Sequence, residues 1–300
     1  MKNKVSVFCL FFIMIAPCTL TQESYNDYRP IQFRPRREPG IDMFMGDWKE
    51  SKPRYVFTTL DVRDILTKCQ SDPLRPAKKG AVLTDINCVS YALLEIHGST
   101  TPSKLKGKQY IFYITSGQGI IKSPGKTAEL MDGIGVLMPP GITFTITNTG
   151  DVPLTMYMIE EPIPKGFIPN KEMVIKNEYD NPVSTNINRS QRGEWLFGSY
   201  EGLSTLESID LIMYEPMSYY PPHVHAEGVE EVWIAIRGDI QIQVGSQRRI
   251  LTAGSAYKVP GTSTIPHANI NGTNVSKKLM WLMKVPKINN PNAQDQDNIM

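Results

Sequence analysis

Two stretches of the chain, about Tyr55 to Pro164 and about Trp195 to Pro286, carry short apolar or alternating runs broken by turn residues every eight to twelve positions or so. Tyr110-Ile111-Phe112-Tyr113-Ile114, Val136-Leu137-Met138, Leu154 to Ile159, Ile209 to Tyr214, Val232 to Ile236 and Ile240 to Val244 are examples. Each run is the length of one strand, and no sustained helical period joins them. The pattern predicts an all-β sandwich or barrel in each stretch.

The two stretches also read as divergent copies. Pro139-Pro140-Gly141 leads to Phe144, Asn148 and the run Met156 to Ile159, while Val259-Pro260-Gly261 leads to His267, Asn271 and the run Leu279 to Met283. Upstream, Tyr110 to Gly117 lies against Glu231 to Gly238. A tandem duplication leaves such a trace, and the copies differ most where chemistry would sit.

The flanking segments are of another kind. Met1-Lys2-Asn3-Lys4 precedes an apolar run from Val5 to Ala16, about 12 residues and short of the roughly 20 that a spanning helix needs. Thr19 and Thr21 have the spacing of a signal-peptidase site. The reading is a signal peptide over 1–21 and export to a periplasm or to the outside, with no membrane span. A lipoprotein lipidated at Cys18 is the alternative, disfavoured by Pro17 before the cysteine. Residues 22–54 are polar and read as an extended arm with a solvated basic cluster at Arg34 to Arg37. Residues 166–192 read as a linker, with one helical turn near Lys171 to Lys176, and the tail 287–300 as disordered. The two β domains then span 55–165 and 193–286.

Composition adds little beyond this frame. The chain is 41% hydrophobic and 21% charged with a net charge of +2, and loss of Lys2 and Lys4 with the leader brings the charges into balance, so nothing favours nucleic acid. Cys69 and Cys88 remain in the mature chain. In an exported protein such a pair suggests a disulfide, with two free thiols as the other reading.

The densest chemistry lies between Pro221 and Gly238. His223 and His225 alternate, so on a strand both face one side. Glu231 follows after a gap that can form a hairpin, and neutral imidazoles and a carboxylate can share one divalent ion. Three of the four histidines, His223, His225 and His267, fall in this pattern, and His97 stands apart as a structural residue.

This arrangement resembles the first motif of the cupin superfamily: two histidines one residue apart, a glutamate, and a glycine seven positions later. Gly238 stands seven after Glu231, which selects Glu231 over Glu230. Pro260, Gly261, His267 and Asn271 resemble the second motif, with a longer interval before the histidine. The resemblance implies two tandem cupin barrels of the double-stranded β-helix, or jelly-roll, type. Alignment of Gly117 with Gly238 and of Asn148 with Asn271 sets Pro102, Lys104, Tyr110 and Phe144 against His223, His225, Glu231 and His267. The N-terminal barrel is therefore expected to lack a metal, serving homodimer packing, support of its neighbour, or a cleft of its own.

The implied cofactor is one divalent metal ion per chain, with Mn, Fe, Zn and Ni not distinguished. Four protein ligands leave one or two positions open, as in a catalytic site. The first reading is a metal-dependent lyase or dehydratase acting on a uronate-type sugar or related hydroxy acid, free or in an oligosaccharide. The alternatives are an iron- or manganese-dependent dioxygenase or decarboxylase of a small organic acid, and a non-catalytic binding or storage bicupin. By strand parity Tyr219 shares the face of the histidines and is the candidate acid or base. Trp233, on the face of Glu231, and Lys258 are candidates for substrate binding.

Overall fold

The computed structural model describes residues 40–183 and 191–286. The expected leader, the arm as far as residue 39, the segment 184–190 and the tail lie outside these residues. The described residues form strands and short 3-10 turns, with no α-helix and no helix long and apolar enough to cross a membrane.

The strands build two tandem jelly-roll barrels, each with a large and a small antiparallel sheet. In the first barrel the large sheet runs Val174–Asn177, Ile134–Met138, Lys108–Ser116, Leu154–Pro162, Cys88–Leu94, Leu60–Lys68 and Arg54–Val56. In the second it runs Met45–Asp47, Ser255–Lys258, Glu230–Arg237, Lys277–Lys284, Ser208–Tyr214 and Gln191–Gly198. The small sheets correspond in the same way. Ser103–Lys104, Thr143–Asn148, Gly119–Ser123 and Lys126–Leu130 form one, and Ser218–His223, His267–Asn271, Ile240–Val244 and Gln247–Leu251 the other.

The edge strands come from outside the barrels they complete. Met45–Asp47, which precedes the first barrel in sequence, pairs with Ser255–Lys258 of the second. Val174–Asn177 pairs with the strand Ile134–Met138, so the segment expected to hold a helical turn near Lys171 to Lys176 supplies an edge strand instead. Val174 and Ile175 are β-branched and favour the extended backbone once a partner strand is present.

Alternation along the strands sorts side chains into three cores. Tyr110, Phe112, Phe144 and Met156 fill the first barrel, and Ile212, Tyr214, Trp233 and Leu279 fill the second. The residues between them, among them Ile111, Tyr113, Ile209, Leu211, Val232 and Leu282, face the other way and join the large sheets back to back. Burying each such side chain contributes about 1.5–3 kcal/mol, so this shared core holds the large sheets together.

The turns repeat as well. Asn148 Nδ2 donates to the carbonyls of Leu94, Glu95 and Val152, and Asn271 Nδ2 to those of Tyr214, Glu215 and Val275. One asparagine thus ties three backbone acceptors in each barrel. Gly117 and Gly238 turn at φ 85° and 80°, a region open chiefly to glycine. Of the two readings of the cysteines, the free-thiol one holds. Cys88 Sγ sits 3.1 Å from Ser90 Oγ, and burial pushes its pKa up to about 12.

Candidate metal centre

His223 ends the strand Ser218–His223, and His225 follows in the loop. Glu231 lies at the start of Glu230–Arg237, and His267 opens His267–Asn271 in register with His223. These elements converge at one end of the second barrel. One donor atom from each of the four residues lies within 4.8 Å of all the others, and the His223 and His267 ring centroids are 4.1 Å apart.

Glu231 is 1% exposed and no lysine or arginine pairs with it among the described residues. Its Oε2 lies 2.8 Å from His225 Nε2 and 3.1 Å from His267 Nε2. Neither approach is aligned as a hydrogen bond, so all three atoms are buried in mutual contact with no hydrogen-bond partner. Burial alone would raise the Glu231 carboxyl, but the two imidazoles outweigh it and hold the carboxyl below its ordinary range. Lone pairs converging around a carboxylate too deep for water to solvate fit a shared cation.

The other atoms of these residues are held in place. Glu231 Oε1 accepts from Trp233 Nε1 at 2.7 Å and Trp281 Nε1 at 3.0 Å, and the two indoles stack 5.6 Å apart. His223 Nδ1 donates to the Pro221 carbonyl at 3.0 Å, which leaves Nε2 with its lone pair free for a ligand. Burial lowers the His223 pKa, with His267 adding to the effect, whereas the Glu231 carboxylate raises that of His225.

Not every residue expected near the metal is there. The strand bearing the histidines bulges between Tyr220 and His223, at Pro221-Pro222, because proline cannot donate to the ladder. The extra residue reverses the parity, so Tyr219 is 55% exposed and Tyr220 packs edge-on against His223 at 4.5 Å. Trp233 is 4% exposed, and its polar atom is engaged by Glu231. Lys258 faces the first barrel, donating to the Val82 carbonyl at 2.8 Å and lying 3.7 Å from Glu230. Glu230 points the same way and accepts from Thr84.

The first barrel has no histidine or carboxylate at the corresponding positions: Leu105 and Phe144 are apolar, and the Ser103 and Tyr110 hydroxyls are spent on the Thr101 carbonyl and Glu160. Phe144 pairs in register with Ser103 as His267 does with His223, which corrects the sequence alignment by one position. Ser103 and the buried Leu105, rather than Pro102 and Lys104, stand opposite His223 and His225. Phe57 packs on Phe144 and Tyr110 at 5.1 and 6.0 Å and closes the space.

Comparison with solved structures places this fold among the cupins. A putative glyoxylate-induced protein from Pseudomonas aeruginosa is similar with a TM-score of 0.61 and 14% identity, over 78% of this chain and 83% of its own. Vicilin from Corylus avellana gives 0.61 and 12%, over 81% and 85%. An oxalate decarboxylase from Bacillus subtilis gives 0.60 and 10%, over 80% and 77%. No family model matches the sequence, and no curated protein does. The chain is therefore a two-barrel protein of cupin fold, with a buried His/Glu group able to hold a metal.

Proposed function

We propose that the second barrel binds one divalent metal ion through His223, His225, Glu231 and His267 and acts as an exported lyase or dehydratase on a uronate-type sugar or related hydroxy acid. The observation that carries the reading is the meeting, on His225, His267 and Glu231, of three buried ligand atoms that have no hydrogen-bond partner. When bound, the ion would grip a substrate carboxylate and acidify the proton on the neighbouring carbon.

The chain's own residues set the rest of the environment. Lys258 and Lys278 reach to the first barrel, and Arg192, Arg237 and Arg249 pair with surface carboxylates. None of these cations competes with the centre for an acidic substrate. Elimination removes the proton beside the carboxylate, forms a carbon–carbon double bond and releases the β-oxygen substituent as water or an alcohol. Tyr220, which packs edge-on against His223, would be the phenol that hydrogen-bonds a departing oxygen.

The test is metal analysis of protein purified without a chelating tag, beside the variant His223→Ala, His225→Ala. About one metal per chain in the wild type and none in the variant supports the centre; equal metal in both, or none in either, rejects it. Uronate oligosaccharides are then screened for the ultraviolet absorbance of an unsaturated acid. A second reading, decarboxylation of a small organic acid, draws on the likeness to the oxalate decarboxylase. Gas release from oxalate without unsaturated product would favour it.

A further inference from the structure

A polar pair lies on the inward face of the second barrel's large sheet, on the two strands beyond the one that carries Trp281. On the strand Ser208–Tyr214, Ile212 and Tyr214 belong to the barrel interior and Ile209 and Leu211 to the core between barrels. Alternation therefore turns Asp210 inward. In register it lies between Trp281 on one side and Trp195 on the other, and Trp281 is bonded to Glu231 Oε1. Strands about 4.8 Å apart set Asp210 one spacing beyond Trp281.

Asp210 is 7% exposed. It accepts from Ser208 Oγ at 2.7 Å, and no cation pairs with it among the described residues. Burial pushes its pKa up to about 7. Across the strand pair, Trp195 Nε1 is buried with no acceptor. Its ring stacks on Tyr200 at 6.1 Å, and a Cβ at Gly198 would come within 2.6 Å of that ring.

We infer that Asp210 and Trp195 form a subsite for a substrate hydroxyl, so that the centre takes polyhydroxylated acids rather than plain carboxylic acids. The inference rests on the metal-centre reading above and deepens it. A buried indole N–H needs an acceptor, and Asp210, once it has lost its proton above about pH 7, is a half-used carboxylate that needs a donor. A hydroxyl supplies both from one atom. A second carboxylate would meet the Trp195 N–H but be repelled by Asp210, and an ammonium would satisfy Asp210 and leave Trp195 unpaired.

The experiment compares two ligands of one ring size, glucuronate and cyclohexanecarboxylate, by calorimetric titration of the metal-loaded protein. Wild type is expected to bind glucuronate at least about tenfold more tightly, the worth of one or two hydrogen bonds. Asp210→Asn and Trp195→Phe should each remove most of that preference, with metal content and cyclohexanecarboxylate binding unchanged. Equal binding of the two ligands by wild type, binding of neither, or variants that keep the preference overturns the subsite. Absence of metal from the wild type overturns the centre instead, a separate reading made on the same samples before titration.

Discussion

Trp281 Nε1 donates to Glu231 Oε1 at 3.0 Å, the same oxygen that takes the Trp233 N–H at 2.7 Å. Two indoles thus fix the carboxylate so that its other oxygen faces the histidines. Partners of this kind commonly change metal affinity by about 10–100-fold. Trp281→Phe should weaken metal retention by roughly that amount with the fold intact, measured by competition against a chromophoric chelator. Unchanged retention would mean that the histidines alone orient the site.

The buried Asp210 makes stability depend on pH. Its carboxyl rises from 3.8 to about 7 on folding, so between these values the folded protein holds a proton that the unfolded chain gives up. The contribution is full below about pH 4 and is lost as pH climbs through 7. Between pH 5 and pH 8 the wild type should lose on the order of 3 kcal/mol relative to Asp210→Asn. Urea unfolding at the two values, in chelator, measures the difference.

Between the barrels, Lys278 Nζ sits 2.6 Å from both Glu178 oxygens and 2.8 Å from Tyr113 Oη. Lysine and glutamate are 6% and 1% exposed. Lys278→Met strands a buried carboxylate and should cost about 3–5 kcal/mol. The double variant Lys278→Met, Glu178→Leu should recover much of the loss. A full loss in the double variant would assign the cost to packing.

Gly46, in the edge strand Met45–Asp47, has no room for a side chain, since a Cβ there would run into the Ile65 carbonyl. Gly46→Val should therefore undock this strand from Ser255–Lys258 and cost more than about 2 kcal/mol. Hydrogen exchange at Ala256, its register partner, should rise with it.

The sequence carried the barrels through alternation and turn residues, because those patterns are local. His223, His225, Glu231 and His267 were legible for a related reason: few other roles call for histidines and a glutamate at those intervals. Tyr219 was misplaced because a single bulge at Pro221-Pro222 inverts parity, and periodicity has no term for a bulge. Lys258 was misread because its partners, Val82 and Thr84, lie more than a hundred positions away in the other barrel. Asp210 resembles any polar residue in an alternating run until the sheet shows which face is enclosed. The exchanged edge strands were hidden for the same reason, since pairing over such distances leaves no local mark.

That exchange governs how the chain can be divided. Ile41 N bonds Gln247 Oε1 across 206 positions, alongside the pairing of Met45–Asp47 with Ser255–Lys258. A gene cut between the barrels would yield a C-terminal half with a raw sheet edge open to other chains. During synthesis Met45–Asp47 waits for Ser255–Lys258 before it can dock. Closure of the second barrel is thus a late, long-range event, since its edge is completed by a strand from the other end of the described chain.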